Sequence, residues 1–314
     1  MRVAAAQARC PWLDKAAGVE KVVDFIGRAG AEKADLVAFP ETFLSGYPFW
    51  LLLTDGLRFN EARQKAAYAA YLDAAVETDG PEIARVVEAV RDHGVFTYLG
   101  ISERGSGAGR GTVWCSLLAI DPAEGIVSLH RKLMPTFHER LVWGAGDGHG
   151  LRVHDVAGVK AGGLICWENW MPQARHALYA AGEELHISVW PGSAGLTKDI
   201  TRFIAMEGRV YSMAVGALID FKDMPADFPF RDEILASGQA STYDGGSAIA
   251  GPDGRWIIEP VRGEERLIVA DLDPAVVRGA RQSFDPSGHY ARPDVFGVTV
   301  NRTRLAAATF TEEG

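Results

Sequence analysis

Apolar runs with the length of β-strands recur along the whole chain, and longer amphipathic stretches lie between some of them. Short apolar runs bounded by turn residues are typical of buried strands, whereas an apolar residue at every third or fourth position indicates a helix. The predicted strands are residues 2–8, 36–40, 95–102, 113–121, 126–130, 159–165, 185–190, 214–219, 246–250 and 267–271. The predicted helices are residues 15–31, 59–76, 81–93, 171–181, 197–211 and 274–281.

The order of these elements predicts an α/β protein. Strands and helices alternate in the first half, and short strands joined by turn sequences at residues 122–125 and 251–254 follow. This mixture favours a layered domain with hairpins in a mixed sheet. The glycine-rich segment 105–111 precedes a strand, so we interpret it as a hairpin loop and not as a phosphate-binding loop. Residues 221–238 lack a clear period and are predicted to form a long surface loop that could cap a site or join an interface.

Composition and charge narrow the functional classes. The 314 residues are 47% apolar and 23% charged, which is ordinary for a globular protein, and the formal net charge is −9. An acidic chain argues against nucleic-acid binding, and no window approaches the roughly 20 uncharged apolar residues of a membrane span. The three cysteines, Cys10, Cys115 and Cys166, have no C-x-x-C spacing. They indicate neither a disulfide framework nor a zinc site, and we expect a cytoplasmic protein.

Cys166 is the first candidate for chemistry, because it stands where a predicted strand meets a predicted helix start. The apolar run 159–165 leads into it, and Pro172 follows at a position typical of a first helical turn. A thiol near the positive end of a helix is favoured as the thiolate, which is the nucleophilic form. The alternative is a small buried hydrophobe, which is the usual role of a free cysteine.

Three charged residues stand near the ends of other predicted strands. Glu41 directly follows the run 36–40, at the carboxyl end where open α/β sheets place functional groups. Lys132 comes at the end of a further strand, and Glu139 is close enough in sequence to pair with a cation nearby. The alternatives are a helix-capping or solvated Glu41, an exposed basic strand end at Lys132 and a surface salt bridge at Glu139.

His138, His149 and His154 invite a metal-binding interpretation. None of them has the i,i+4 spacing of helical metal ligands, and no cluster of cysteines or carboxylates completes a site. We therefore expect no metal. A Cys–His couple is chemically possible, but no feature singles out one of the eight histidines as its base.

The segments around these residues, taken in order, resemble the nitrilase superfamily of carbon–nitrogen hydrolases. The finer pattern resembles the nitrilase branch rather than the amidase or carbamoylase branches, and it extends from about residue 2 to about residue 302. The stretches that carry it are FPETFLSGYP at 39–48, RKLMPT at 131–136, ER at 139–140, VWG at 142–144, GDG at 146–148, CWENWMP at 166–172 and GHYARPDVF at 288–296. Several separate motifs in order make chance agreement implausible.

The resemblance implies a catalytic triad of Glu41 as general base, Lys132 as the cation and Cys166 as the nucleophile. It implies that Glu139 is a second carboxylate that positions Lys132 or a water. The expected reaction converts organic nitriles to carboxylic acid and ammonia through a thioimidate and a thioester, with no cofactor. The alternatives are an amidase or N-carbamoyl hydrolase with the same triad, a non-catalytic scaffold or binding subunit, and a Cys–His enzyme.

An aromatic wall is expected around an apolar nitrile, because such a wall excludes bulk water. The residues predicted to form it are Tyr47, Trp143, Trp167 and Trp190, and the backbone N–H of Trp167 is the expected oxyanion donor. The pair Trp114-Cys115 departs from the aromatic–Asn pair that the family often has. We interpret this departure as one that touches a strand and not the triad.

The fold implied by the resemblance is a four-layer α-β-β-α sandwich with mixed sheets. The catalytic domain is predicted to comprise residues 1–282. Residues 283–314 lose periodicity and are predicted to be a tail that packs on the domain or on a neighbouring subunit. A homo-oligomer, a dimer or larger, is expected, with no nucleic-acid or membrane partner.

Overall fold

The computed structural model describes residues 1–308, which form two six-stranded mixed β-sheets flanked by helices. Both sheets are built from the apolar runs of the sequence. The strands are β1 Arg2–Gln7, β2 Leu36–Ala38, β3 Phe96–Arg104, β4 Val113–Asp121, β5 Gly125–Arg131, β6 Val153–Val156, β7 Val159–Ile165, β8 Leu185–Trp190, β9 Tyr211–Gly216, β10 Gly245–Ala250, β11 Trp256–Arg262 and β12 Arg266–Asp271.

The helices form the two outer layers. They are α1 Lys15–Ala31, α2 Trp50–Leu53, α3 Ala62–Ala74, α4 Pro81–His93, α5 Pro172–Ala180, α6 Ala194–Gly208, α7 Arg231–Ala236 and α8 Pro274–Ala280. Helices α1 and α4 pack together on the first sheet, and α5 and α6 pack together beside the second. The predicted four-layer α-β-β-α sandwich is confirmed. Among residues 1–308, no helix has both the length and the apolar character needed to cross a membrane.

The two sheets share one pairing scheme. Their strand orders are β12-β1-β2-β3-β4-β5 and β11-β10-β9-β8-β7-β6. Strands β1, β2 and β3 are parallel in the first sheet, β7, β8 and β9 are parallel in the second, and the remaining pairs are antiparallel. The sheets meet where β1 lies against β9 and β4 lies against β7. Because parallel strands end at the same edge, residues that follow β2, β7 and β8 can converge there.

The predicted boundary near residue 211 is wrong. The helix predicted over 197–211 is α6, which ends at Gly208, and Arg209 then adopts a left-handed conformation with φ 50°. Tyr211 opens β9 instead, so the strand predicted over 214–219 begins earlier. Val210, Tyr211 and Met213 are apolar and fit either a helical or a strand period, so the pattern alone does not locate the break.

Two strands were not predicted, β6 and β11, and both lie at sheet edges. Exposed and partly buried side chains alternate along β11, so it lacks the continuous apolar run of a central strand. The glycine-rich segment 105–111 connects the antiparallel strands β3 and β4, as predicted for a hairpin loop. The turn sequences at 122–125 and 251–254 likewise connect β4 to β5 and β10 to β11.

The prediction of a long surface loop over residues 221–238 is wrong. The segment contains α7 and a short 3₁₀ helix, and several of its apolar side chains are buried. Phe228 packs edge-on against Trp12 and Trp50 with ring centroids 4.8 and 5.7 Å apart. The buried apolar residues of this segment do not keep one spacing along it, so no single period reveals its buried side.

The segment after α8 has little regular structure but contacts the domain. Arg304 donates to the carboxylate of Asp147 at 3.0 Å and to the carbonyl of Leu129 at 2.6 Å. The backbone carbonyl of Arg302 lies 3.1 Å from Nδ1 of His149. Residues 309–314 of the predicted tail lie outside the described residues, and the division of the chain at residue 282 stays a prediction.

Candidate active site

Glu41 lies where the two sheets meet. Strand β2 ends at Ala38, and the backbone N–H of Glu41 then donates across to the carbonyl of Trp190, at the end of β8, over 3.3 Å. The segment passes close over β3, since a Cβ added at Gly100 would stand 2.0 Å from the carbonyl oxygen of Pro40. Only glycine leaves room for this approach. The carboxylate of Glu41 is consequently fixed in the interior, 2% exposed.

Lys132 joins two carboxylates inside the protein. Its Nζ donates to Oε1 of Glu41 at 2.8 Å and to Oε2 of Glu139 at 2.7 Å, and all three side chains are buried. Burial alone would lower the pKa of Lys132, but the electrostatic effects of Cys166, Glu41 and Glu139 outweigh it and raise the pKa well above its usual value. The ammonium therefore stays protonated and offsets one of the two carboxylate charges.

Both carboxylate oxygens of Glu139 accept hydrogen bonds. It lies on the 3₁₀ helix Phe137–Leu141, and its Oε2 also accepts from the backbone N–H of Thr136 at 2.6 Å. Its Oε1 accepts from the hydroxyl of Tyr47 at 2.9 Å. A carboxylate whose two oxygens are both held in this way is suited to orienting Lys132 rather than to accepting a further proton.

Glu41 has the free oxygen. Its Oε1 accepts from Lys132, whereas its buried Oε2 has no hydrogen-bond partner. Burial raises the pKa of Glu41 to about 7, against the opposing effect of Lys132 and with a further contribution from Glu139. Sequence patterns left open which carboxylate is the stronger base, and this geometry favours Glu41.

Cys166 stands at a sharp strand-to-helix bend. Strand β7 ends at Ile165, and Cys166 adopts φ 55°, a left-handed conformation that is uncommon outside glycine and clusters at functional sites. Its Sγ, an oxygen of Glu41 and an oxygen of Glu139 all lie within 4.8 Å of one another. The structure therefore brings Glu41, Lys132, Glu139 and Cys166 together.

The expectation that helix position favours the thiolate is wrong. Burial raises the pKa of Cys166 well above its usual value, and the negative charges of Glu41 and Glu139 add to this effect. Lys132 and the backbone N–H of Trp167 lower it only in part. The thiol is consequently protonated at rest, and a base is needed to remove its proton during attack.

Glu168 connects the segments that carry Cys166 and Lys132. Its Oε2 accepts from the backbone N–H of Ile165 at 2.9 Å, and its Oε1 accepts from that of Leu133 at 2.8 Å. Nε2 of His130 lies 2.9 and 3.0 Å from the two oxygens. Burial opposes ionisation of Glu168, but His130 and the two N–H groups outweigh it and lower its pKa. Sequence reasoning treated Glu168 only as part of a motif.

A cavity of about 340 Å³ opens beside Cys166. Three of the four predicted wall residues line it: Tyr47, Trp167 and Trp190. Trp143 does not line it, which corrects that prediction. Its ring lies 5.3 Å from Nζ of Lys132, and its indole N–H donates to the Tyr71 hydroxyl at 3.1 Å. Trp143 therefore packs beside Lys132 and outside the cavity.

Sequence reasoning missed the rest of the lining. The additional residues are mainly apolar or aromatic, and they come from distant segments: Leu52, Thr136, Phe137, His138, Pro191, Gly192, Ser193, Leu196, Thr197, Thr242 and Tyr243. Tyr243 packs against Tyr47 with ring centroids 5.6 Å apart. Apart from Thr136, which ends the motif RKLMPT, no local motif marks these positions, because the fold alone brings them to the cavity.

Cys115 corrects another interpretation. Its thiol donates to Oε1 of Glu41 at 3.3 Å, and its carbonyl accepts from the backbone N–H of Lys132 at 2.8 Å. The departure at residues 114 and 115 therefore touches the proposed triad directly. The register of β4 beside β5 could have revealed this, since residue 116 pairs with Arg131.

The three histidines considered as metal ligands lie in separate surroundings. Nε2 of His138 contacts the Tyr47 hydroxyl at 3.0 Å, and Nε2 of His154 contacts the Ser128 hydroxyl at 2.9 Å. His149 contacts the segment after α8, as described above. Within residues 1–308, the carboxylates of Glu41 and Glu139 with Cys166 form the one group whose spacing suits a metal ion. The ammonium of Lys132 already bridges those two carboxylates.

Comparisons with known proteins point the same way as the geometry. The family model described as carbon-nitrogen hydrolase matches residues 2–282. An aliphatic nitrilase of Rhodococcus rhodochrous is 32% identical over 96% of this chain and 82% of its own length. An aliphatic nitrilase of Sinorhizobium fredii (strain HH103) is 35% identical over 98% of this chain and 97% of its own. A solved CN-hydrolase superfamily protein of Xanthomonas campestris has the same fold, with a TM-score of 0.68 at 19% identity over 95% of this chain and 99% of that one.

Proposed function

This chain belongs to the carbon–nitrogen hydrolase family, and we propose that it is a nitrilase that converts organic nitriles to carboxylic acids and ammonia. The observation that carries the proposal is the buried cluster in which Lys132 bridges Glu41 and Glu139 beside Cys166. The similarity to full-length nitrilases supports nitriles, rather than amides, as the substrate class.

The first step forms a bond between sulfur and the nitrile carbon. Glu41 accepts the thiol proton through its free Oε2 while Cys166 attacks, and the nitrile nitrogen gains negative character. Lys132 donates a proton to that nitrogen and recovers one from Glu41, which gives a neutral thioimidate. The backbone N–H of Trp167 is the proposed donor to the developing charge.

Two waters complete the reaction. Glu41 takes a proton from the first water as its oxygen adds to the thioimidate carbon, and Lys132 protonates the nitrogen and recovers that proton from Glu41. The new hydroxyl group then gives its proton to the amino nitrogen as the carbon–nitrogen bond breaks. Loss of ammonia leaves a thioester on Cys166. A second water, activated in the same way, releases the carboxylic acid and returns the thiol. If the thiolate leaves first, the product is an amide. No step requires a cofactor.

A nitrile panel tests this proposal. Purified protein is incubated with aliphatic, aryl and arylacetonitrile substrates, and ammonia, amide and acid are measured together. Ammonia release from at least one nitrile is expected, and Cys166→Ala should abolish it while Cys10→Ala, a second buried thiol, should not. The absence of ammonia from every nitrile would contradict the proposal. Faster turnover of simple amides would favour an amidase, and N-carbamoyl substrates should be included for the same reason.

We also propose that the protein is a cytoplasmic homo-oligomer, a dimer or larger. All three cysteines are free, which suits a reducing compartment. Trp170, just before α5, and Phe203 and Met206 of α6 are each at least 40% exposed, and Tyr290 and Phe296 of the final segment are more so. Exposed apolar side chains of this kind suit an interface. A light-scattering mass equal to one chain at micromolar concentration would contradict the oligomer.

A further inference from the structure

Cys115 touches both the base and the cation-bearing segment of the proposed triad. Its side chain donates to Oε1 of Glu41, and its carbonyl holds the backbone N–H of Lys132. The residue is 1% exposed and lies in the interior of strand β4, so its position is set by the sheet. It does not line the cavity, and Cys166 does.

Both donors to Glu41 act on the same oxygen. Lys132 and Cys115 occupy Oε1 at 2.8 and 3.3 Å, which leaves Oε2 as the oxygen able to take a proton. Two bonds to one oxygen also restrict rotation of the carboxylate. Burial raises the pKa of the Cys115 thiol well above its usual value, so the group stays protonated and remains a donor.

We propose that Cys115 is a positioning residue that holds Oε1 of Glu41 and so directs its Oε2 towards Cys166. The inference rests on the proposed function, because it assigns Glu41 the role of base. A thiol is a weak donor, so the effect is a tuning of the base and not its creation. Within the described structure, Lys132 and Cys115 are the side chains that donate to Glu41.

Other ionisable groups also act on Glu41 and must be held constant in any test. Glu139 raises its pKa, and Lys132 and the Cys115 hydrogen bond lower it. Cys166 interacts with it directly. Two buried tyrosines, Tyr47 and Tyr71, and the partly buried Tyr243 interact with it electrostatically as well. Substitutions confined to residue 115 leave all of these groups in place.

Two matched pairs of variants separate the hydrogen bond from packing. Cys115→Ser keeps a hydroxyl donor where Cys115→Ala has none, and Cys115→Thr keeps one where the similarly shaped Cys115→Val has none. The readout is the pH dependence of kcat/KM for a nitrile. Without the donor the pKa of Glu41 rises. The low-pH side of the kcat/KM profile, its acid limb, should therefore move to higher pH by about half a unit in Cys115→Ala and Cys115→Val. It should stay at or below the parent's position in Ser and Thr.

The rate of Cys166 alkylation by iodoacetamide, followed against pH, gives a second readout that needs no nitrile turnover. The donor-free variants should show the same upward displacement, because the thiol transfers its proton to Glu41. Peptide mapping restricts the measurement to Cys166, and Cys10→Ala serves as the control for loss of a buried thiol. If no nitrile is turned over but the alkylation profiles of the donor-free variants show the expected displacement, the substrate is rejected and the role of Cys115 is not.

Two outcomes overturn the inference. If both members of a pair move the acid limb equally, packing and not the hydrogen bond is responsible. If neither member moves it, Cys115 does not influence the base. Should Cys115→Ala unfold, the Thr and Val pair decides alone, because both fill the strand position with β-branched side chains that suit a sheet. Far-ultraviolet circular dichroism and thermal midpoints establish which variants are folded.

Discussion

Glu168→Gln should lower both the stability and the activity of the protein more than any exposed glutamate-to-glutamine change. Each carboxylate oxygen of Glu168 accepts a backbone N–H, from Ile165 on one side and Leu133 on the other. A glutamine has one oxygen and one NH₂ group. In either orientation of the amide, its NH₂ group therefore faces the backbone N–H of Ile165 or Leu133, so two buried donors meet without an acceptor. The contact with His130 also loses its charged partner.

The magnitude follows from these contacts. A buried donor without an acceptor costs about 1–3 kcal/mol, and a hydrogen bond to a charged group contributes about 1.5–3 kcal/mol. We expect a loss of about 3 kcal/mol in the free energy of unfolding, since the amide can recover part of the His130 contact. For a chain of this size that corresponds to a fall in Tm of about 5 °C. Misplacement of Cys166 relative to Lys132 should also lower kcat at least about tenfold.

The assay is thermal unfolding together with nitrile turnover, and Glu20→Gln on the exposed side of α1 is the matched control. Both variants remove one negative charge, so a general charge effect would appear in both. Iodoacetamide reactivity of Cys166 then reports the geometry of the bend without a substrate. A Tm within about 1 °C of the control, with unchanged kcat, would refute the reasoning that Glu168 joins the two segments.

Three further predictions concern the charged cluster. Because Glu41 must be ionised to accept the thiol proton, kcat/KM should fall about tenfold per pH unit below about 7, and a profile flat to pH 5 would contradict Glu41 as base. Tyr47→Phe removes the donor to Oε1 of Glu139 and should lower kcat/KM about tenfold with the fold intact. Tyr68→Phe, at a site outside the cavity, is the control and should leave kcat/KM unchanged. Lys132→Met leaves two buried carboxylates without their cation, so denaturant unfolding should show a loss of about 3–5 kcal/mol in stability. The double variant Lys132→Met/Glu139→Gln should recover part of that loss. Equal stability of the single variant and the parent would refute the bridging role.

The sequence predicted the central strands well because their burial produces continuous apolar runs. Strands β7 and β8 coincide with their predicted ranges, and both are almost wholly buried. The edge strands β6 and β11 were not predicted, because one side of each is exposed and neither forms a continuous apolar run. The boundary between α6 and β9 was misplaced because apolar residues around Tyr211 fit both periods.

The same contrast applies to the site. Glu41, Lys132 and Cys166 stand in motifs that follow strands, so local sequence and resemblance identify them. Tyr243 and Leu196 reach the cavity only through long-range folding, and no local pattern distinguishes them. The thiol of Cys166 was expected to ionise on local grounds, but burial among carboxylates decides its protonation. Electrostatics of this kind depends on the whole environment of a group.

The most direct test of the account is identification of the covalent intermediate. A slow nitrile substrate is mixed with excess protein, the reaction is quenched in acid, and the digested peptides are mapped by mass spectrometry. The account predicts a substrate-derived thioimidate or thioester on the peptide that contains Cys166, at up to one per chain, and on no peptide that contains Cys10 or Cys115. Steady ammonia release with no adduct on Cys166, or with the adduct on Cys115, would contradict it.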